Sequence, residues 1–217
     1  MGTITRSFAN NITTSGVLLP ASLNNNSIAN VTSYNPAIAT GNMVLLSTQT
    51  ASNSASISFT TGINSTYKEY QFWFIDVHPR TDIQHFSFNL STDSGSNYNV
   101  TKTSSFFQAY QNESGGTADL AYAGTNDLAQ STGFQRFTEN QGSGADESCC
   151  GSMSLFNPSS TTYVKHFIAN VAHYNGNDFS NNCFLAGYGN TTSAINAIQF
   201  KFESGNMDGT ILMYGIV

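Results

Sequence analysis

Apolar residues recur at every second position along several segments of this chain, a period that a β-strand satisfies and an α-helix does not. Residues 85–91 set Phe86, Phe88 and Leu90 on one side against His85, Ser87 and Asn89 on the other. Residues 195–203 repeat the pattern, with Ile198, Phe200 and Phe202 inward and Gln199, Lys201 and Glu203 outward. The strongest segment is 67–78, where Tyr70, Phe72 and Phe74 point one way and Trp73, Ile75 and Val77 the other. With both faces apolar, it reads as a mid-sheet strand covered on each side, and Pro79, which cannot donate to a ladder, ends it.

Shorter segments share the β character: 43–50 and 55–60, parted by Ser-Asn-Ser, then 118–123, 134–138, 152–156, 183–188 and 210–216. Residues 93–97 read as a hairpin turn with Gly95 free to take a positive φ, and 98–102 as the strand returning from it. The stretch 163–174 is ambiguous. Val164, Phe167, Ile168 and Val171 fit helical spacing, but the Thr-Thr-Tyr-Val entry favours a strand. Roughly ten short strands, no convincing long helix and no internal repeat predict an all-β fold: an antiparallel β-sandwich, jelly-roll-like, over 41–217. Residues 1–40 differ. Short apolar islands (Val17-Leu18-Leu19, Ile28, Val31, Ile38) stand in a polar background with no sustained period, which predicts an extended N-terminal assembly or docking arm.

Charge narrows the partners. Only 9% of residues are charged, against about 25% in an average domain, and the net charge is −6. The Lys and Arg residues are scattered, whereas nucleic-acid binding needs clustered cations, so no nucleic acid is expected. No apolar stretch reaches bilayer length, so no membrane insertion is expected. Met1–Ser7 lacks the apolar core of a signal peptide, and Arg6 stands where a myristoylation signal wants Ser or Thr. Sequons such as Asn30-Val31-Thr32 and Asn99-Val100-Thr101 arise readily in a chain this rich in Asn, Ser and Thr. The 16 Phe and 10 Tyr supply the apolar area that folding needs. Cys149, Cys150 and Cys183 form neither a disulfide framework nor a zinc pattern, and they read as inert thiols of a reducing cytoplasm. A bridge from Cys149 or Cys150 to Cys183 stays open.

Candidate chemistry is sparse. On a strand, His166 and His173 point to opposite faces, while His78 and His85 flank the 79–82 bend and could approach across it. Asp76 reads as the partner of Arg80 or Lys68. Residues 93–97 superficially resemble a calcium loop but lack the closing Glu, so they read as a turn. Tyr110, Tyr174 and Asp178 are loop residues of a kind that can stack and hydrogen-bond to sugars. There is no nucleophile elbow, P-loop or dinucleotide motif, and the sequence nominates no carboxylate pair for glycoside hydrolysis. Accordingly no catalytic, cofactor-binding or metal-binding residue is assigned, no cofactor is expected, and the chain reads as non-enzymatic.

Three stretches carry a resemblance: Thr66-Tyr67-Lys68-Glu69-Tyr70 with Phe72, Phe74 and Val77-His78-Pro79; residues 90–98; and residues 198–211. They resemble a family of bacteriophage virion structural proteins common in marine phages, with a short polar arm followed by a β domain. The resemblance covers most of the chain from Gly41 and the arm more loosely. It implies a virion component made in the host bacterial cytoplasm: a tail or head fibre or appendage, or alternatively a capsid decoration protein. The partners it implies are copies of the chain itself, with a homotrimer suiting a fibre, other virion proteins, and a host surface glycan. A carbohydrate-binding module is the alternative from another class. The motifs are strand and turn patterns, so they specify fold rather than role.

Overall fold

The computed structural model describes Ile12–Thr13, Gly16–Val17 and residues 42–217. The chain divides into two units, Met1–Ala39 and Thr40–Val217. In the first, β1 (Ile12–Thr13) and β2 (Gly16–Val17) form a short antiparallel ladder; the rest of the expected docking arm lies outside the described residues. The second contains β3 (Met43–Ser54), β4 (Ile57–Phe59), β5 (Glu69–Pro79), β6 (Phe86–Ser91), β7 (Lys102–Asn112) and β8 (Ala118–Tyr122). It continues with β9 (Gln135–Arg136), β10 (Cys149–Phe156), β11 (Lys165–Asn175), β12 (Phe179–Gly189), β13 (Ala197–Phe202) and β14 (Met207–Ile216). No described residue is helical. The ambiguous 163–174 stretch is therefore strand, and its alternating burial over Lys165–His173 shows why: one face packs on the core and the other does not.

These strands make an antiparallel β-sandwich of unequal sheets. An eight-stranded sheet runs β3-β14-β5-β10-β11-β12-β7-β8, and a four-stranded sheet runs β4-β13-β6-β9. Between them lies a slab of phenylalanine. Phe59, Phe72, Phe74, Phe86, Phe88, Phe137, Phe167, Phe200 and Phe202 are all buried. Phe200 sits at the hub, with ring centroids 5.4 Å from Phe72, 5.5 Å from Phe74 and 6.2 Å from Phe59, Phe86 and Phe137. Many of these pairs meet edge to face or tilted, the arrangements the ring quadrupole favours.

Several expectations change in detail. Phe86, Phe88 and Leu90 face inward, but Ser87 and Asn89 are equally buried. Ser87 donates to the Lys201 carbonyl at 2.9 Å, and the Asn89 amide donates to the carbonyls of Tyr98 at 2.6 Å and Thr132 at 2.9 Å. Loop backbone covers that side of β6. Residues 98–101 form no strand beside β6, and the chain crosses to the other sheet as β7. The 93–97 turn itself forms, with Gly95 at φ 88°. Its Asp93 carboxylate accepts from Ser91 Oγ at 2.6 Å and from the Asn97 amide N–H at 2.8 Å. These hydrogen bonds hold the Asp93 carboxyl down at about 2.

Strand β5 carries the main irregularity. Asp76 is an extra residue against both neighbours, with register shifts opposite Cys149/Gly151 and opposite Asp208/Thr210, and it adopts φ 49°. The bulge rotates Val77 into the core, away from the face it was expected to share with Trp73 and Ile75. Gly209 lies opposite at φ 121°, where an added Cβ would come within 2.7 Å of the Asp76 carbonyl oxygen and of Val77 Cα. Asp76 pairs with neither Arg80 nor Lys68. Arg80 instead bonds Asp208 at 2.7 Å, and Asp76 receives the Cys150 thiol at 3.6 Å.

Among the described residues, two lysines are buried without a carboxylate: Lys165, whose Nζ donates to the Tyr163 and Thr191 carbonyls at 3.0 Å, and Lys102. The side chain of Lys102 is inaccessible to solvent, and its Nζ donates to Asn89 Oδ1 and, at 2.8 Å, to the Val100 carbonyl. Burial lowers its pKa from the usual 10.5 to about 7. Above that value the folded lysine releases a proton that the unfolded chain still holds, so the unfolded state binds more protons and stability rises with pH. Below pH 7 both states are charged and the slope vanishes. Denaturant unfolding between about pH 7 and 8.5, below the range where the unfolded cysteine thiols ionise, is expected to show a rise of roughly 1.4 kcal/mol per unit, absent in Lys102→Met.

Candidate functional site

Two surfaces of the eight-stranded sheet stand out, and the register generates both. On the outer face, one row across the strands reads Tyr122, Phe107, Phe184, Asn170, Ser152, Trp73, Leu212 and Thr48. The next reads Ser105, Ala186, Ile168, Ser154, Gln71, Tyr214 and Leu45. Neither row holds a charged residue. Trp73 and Phe107 are each 42% exposed and Ile168 is 56% exposed, and no described strand packs over them. The Phe107 and Phe184 rings stack at 5.0 Å, and Trp73 leans on Tyr214 at 5.8 Å. The sequence predicts cover on both faces of β5, and the fold of the described residues supplies it on one. An uncharged sheet face with this many exposed aromatic and aliphatic side chains marks an interaction surface.

The second surface is the inner face where the four-stranded sheet no longer covers it. Register places Tyr110, Asn181, His173 and Cys149 in one row across β7, β12, β11 and β10. A cleft of about 220 Å³ opens there, between Tyr110 and Phe179 on one side and the Glu139–Asn140 segment on the other. Its wall is a fixed polar network. Gln108 donates to the Glu139 carboxylate at 2.9 Å and accepts from the Asn181 amide at 3.3 Å. Asn181, only 4% exposed, keeps a side-chain carbonyl with no partner. A buried acceptor left in that state costs about 1–3 kcal/mol.

His173 anchors the segment that closes the cleft. Its Nε2–H donates to the Glu139 carbonyl at 2.9 Å, which leaves Nδ1 facing the Cys183 thiol at 3.7 Å. Burial pulls the His173 pKa to about 4 and pushes the Cys183 thiol up, so the imidazole is neutral and the sulfur protonated. A protonated, enclosed thiol is a poor nucleophile. Cys149, Cys150 and Cys183 are all free, so the bridge that the sequence left open is not formed.

The remaining sequence candidates scatter. His166 lies exposed on the outer face and His173 is buried on the inner one, as strand spacing predicts. His78 Nε2 lies 2.9 Å from the Gly144 carbonyl, whereas His85 Nδ1 accepts from the Asn140 N–H at 3.2 Å, so the two serve different points of one loop. Among the described residues, no group of three His, Cys, Asp or Glu side chains converges as a metal site would require. Of the sugar candidates, Tyr110 lines the cleft. Tyr174 donates to Asp178 at 3.1 Å, and neither of that pair lines the cleft. Sequence reasoning missed Asn181, Gln108, Glu139 and Phe179: the β7–β12 register brings Gln108 to Phe179 and Asn181, and hydrogen bonds from Gln108 and His173 bring the Glu139 loop to them.

Comparison of this chain with protein-family models, with curated proteins and with solved structures finds no match.

Between pH 6.5 and about 4 the unfolded chain takes up a proton that folded His173 refuses, so stability falls as pH falls through that window. Thermal or urea unfolding is expected to lose about 3 kcal/mol across it, and His173→Gln to flatten that loss.

Proposed function

We propose that this chain is a structural protein of a bacteriophage particle, a component of a tail or head fibre or a similar appendage. It works by packing against copies of itself and against neighbouring virion proteins, with residues 1–40 as the docking arm. The observation that carries the reading is the absence of charge from the central rows of the outer face of the eight-stranded sheet. A face with Trp73, Ile168 and Phe107 exposed gains free energy when covered. The absence of Asp, Glu, Lys and Arg from its central rows removes like-charge repulsion between copies.

The edge of the same sheet supports this reading. Among the described residues strand β3 pairs only with β14, so one side of a twelve-residue strand has no described strand beside it. Monomeric proteins protect such edges with charges, proline or bulges. The Met43–Ser54 sequence contains neither charge nor proline, although bulges near Leu46 and Asn53 interrupt its ladder with β14. The regular stretch between them, Ser47–Ala51, leaves an uncharged edge that suits strand addition from a neighbour. The bacteriophage assignment itself rests on the resemblance of residues 66–79, 90–98 and 198–211.

The test is the mass in solution, by light scattering, of the full chain, of a chain lacking residues 1–40, and of a Trp73→Lys/Ile168→Lys variant. The full chain is expected to be a defined oligomer. The variant should dissociate to folded monomers, each lysine weakening the interface by about 2 kcal/mol or more. Loss of the arm should leave a smaller folded species. A full chain that stays monomeric at every concentration contradicts the proposal.

A further inference from the structure

We infer that the cleft at the open end of the sandwich is a binding site for a neutral sugar ring, such as the terminal residue of a glycan. A pyranose presents an apolar C–H face and a rim of hydroxyls that both donate and accept. Its receptor therefore needs an aromatic wall beside fixed planar acceptors and donors. The cleft has both. Tyr110 and Phe179 meet edge to face, with centroids 5.8 Å apart and planes at 77°, and each is only partly buried. Beside Tyr110 in the same row lies Asn181, whose buried carbonyl has no partner among the described residues, and across the cleft lies the Glu139 carboxylate, held by Gln108 through one oxygen only among the described residues.

Size and charge narrow the class. A volume of about 220 Å³ is smaller than the roughly 300–1,000 Å³ of drug-sized sites and fits one ring rather than a peptide or a nucleotide. Among the described residues Glu139 is the one ionic side chain lining the cleft, and it forms no salt bridge. Uronates, sialates and phosphates are thus disfavoured, while a pair of adjacent hydroxyls can donate to the carboxylate. The polar groups are also preorganised. His173 fixes the Glu139 backbone, the Gln141 N–H donates to the Gln84 carbonyl at 2.8 Å, and Gly176 N–H donates to the Asn140 carbonyl at 2.9 Å. Little ordering remains for the protein on binding.

This inference stands apart from the assembly reading. The cleft is on the inner face, and the proposed packing surface is on the outer one.

Titration calorimetry and saturation-transfer NMR on the full chain would use the methyl glycosides of glucose, galactose, mannose and N-acetylglucosamine, with glucuronate and inorganic phosphate as anionic comparisons. At least one neutral glycoside is expected to saturate with a dissociation constant of about 1 mM, as suits a single ring. Phe179→Ala and Glu139→Gln should each weaken it roughly tenfold or more, and outer-face Trp73→Ala should leave it unchanged. Circular dichroism confirms that each variant folds. Three results would overturn the inference: no saturation by any neutral glycoside up to about 50 mM, affinity unmoved in both cleft variants, or anionic probes binding as tightly as neutral ones.

Discussion

The packing of Phe200 and its ring neighbours between two sheets of different width is the constraint from which the rest of the structure follows. Four strands supply enough apolar surface to bury Phe72, Phe74 and Phe167, the central rings of the wider sheet. They cannot cover an inner face eight strands across. What remains is closed by long connections, such as the 123–134 and 137–148 segments, whose backbone polar groups must be satisfied. The buried amides Asn89, Gln135 and Gln141 do that work. Gln135 donates to the Asn126 carbonyl at 2.8 Å, and Gln141 donates to the Val77 carbonyl at 2.8 Å. Where the cover stops, at the far ends of β7, β11 and β12, the inner face becomes a cleft lined by amides instead of phenyl rings.

The outer face obeys the opposite logic. A solvated antiparallel sheet ordinarily alternates apolar inward with charged or strongly polar outward. Here the outward positions are Ser, Thr, Asn and Ala interspersed with Trp, Tyr, Phe and Ile, and the charged groups sit at the margins. Glu69 and His166 lie toward one end of the strands, and the Arg80–Asp208 pair lies near the other. Low charge across the whole chain thus leaves the central rows of this surface uncharged. Together with the uncharged Ser47–Ala51 stretch of the β3 edge, they give the proposed assembly a surface and an edge on one sheet.

Much of the fold was legible because period two is a strong signal wherever one face is buried. The 85–91 and 195–203 segments pair with each other as β6 and β13, and their inward residues meet in the core. Sequence failed where a single residue resets the period or where a polar group is buried by distant backbone. The Asp76 bulge reverses Val77, and no local pattern marks it, since only the opposing Gly209 makes room. Lys102 was legible only as the end of the 98–102 segment, and nothing local marks its burial against the Asn89 side chain and the Val100 carbonyl. The cleft was barely legible: Tyr110 alone was among the sequence candidates. Asn181 and Gln108 look like ordinary polar positions on β-strands until the β7–β12 register sets them side by side.

Trp73 is the single tryptophan of the chain and lies at the centre of the outer face, so its fluorescence reports directly on whether that face is covered. Emission maximum and acrylamide quenching followed over a dilution series of the full chain would measure this. The account predicts a blue-shifted, quencher-protected tryptophan at high concentration that turns red-shifted and accessible on dilution, in step with the fall in mass. A tryptophan equally accessible at every concentration, whatever the mass, would contradict the outer face as the assembly surface.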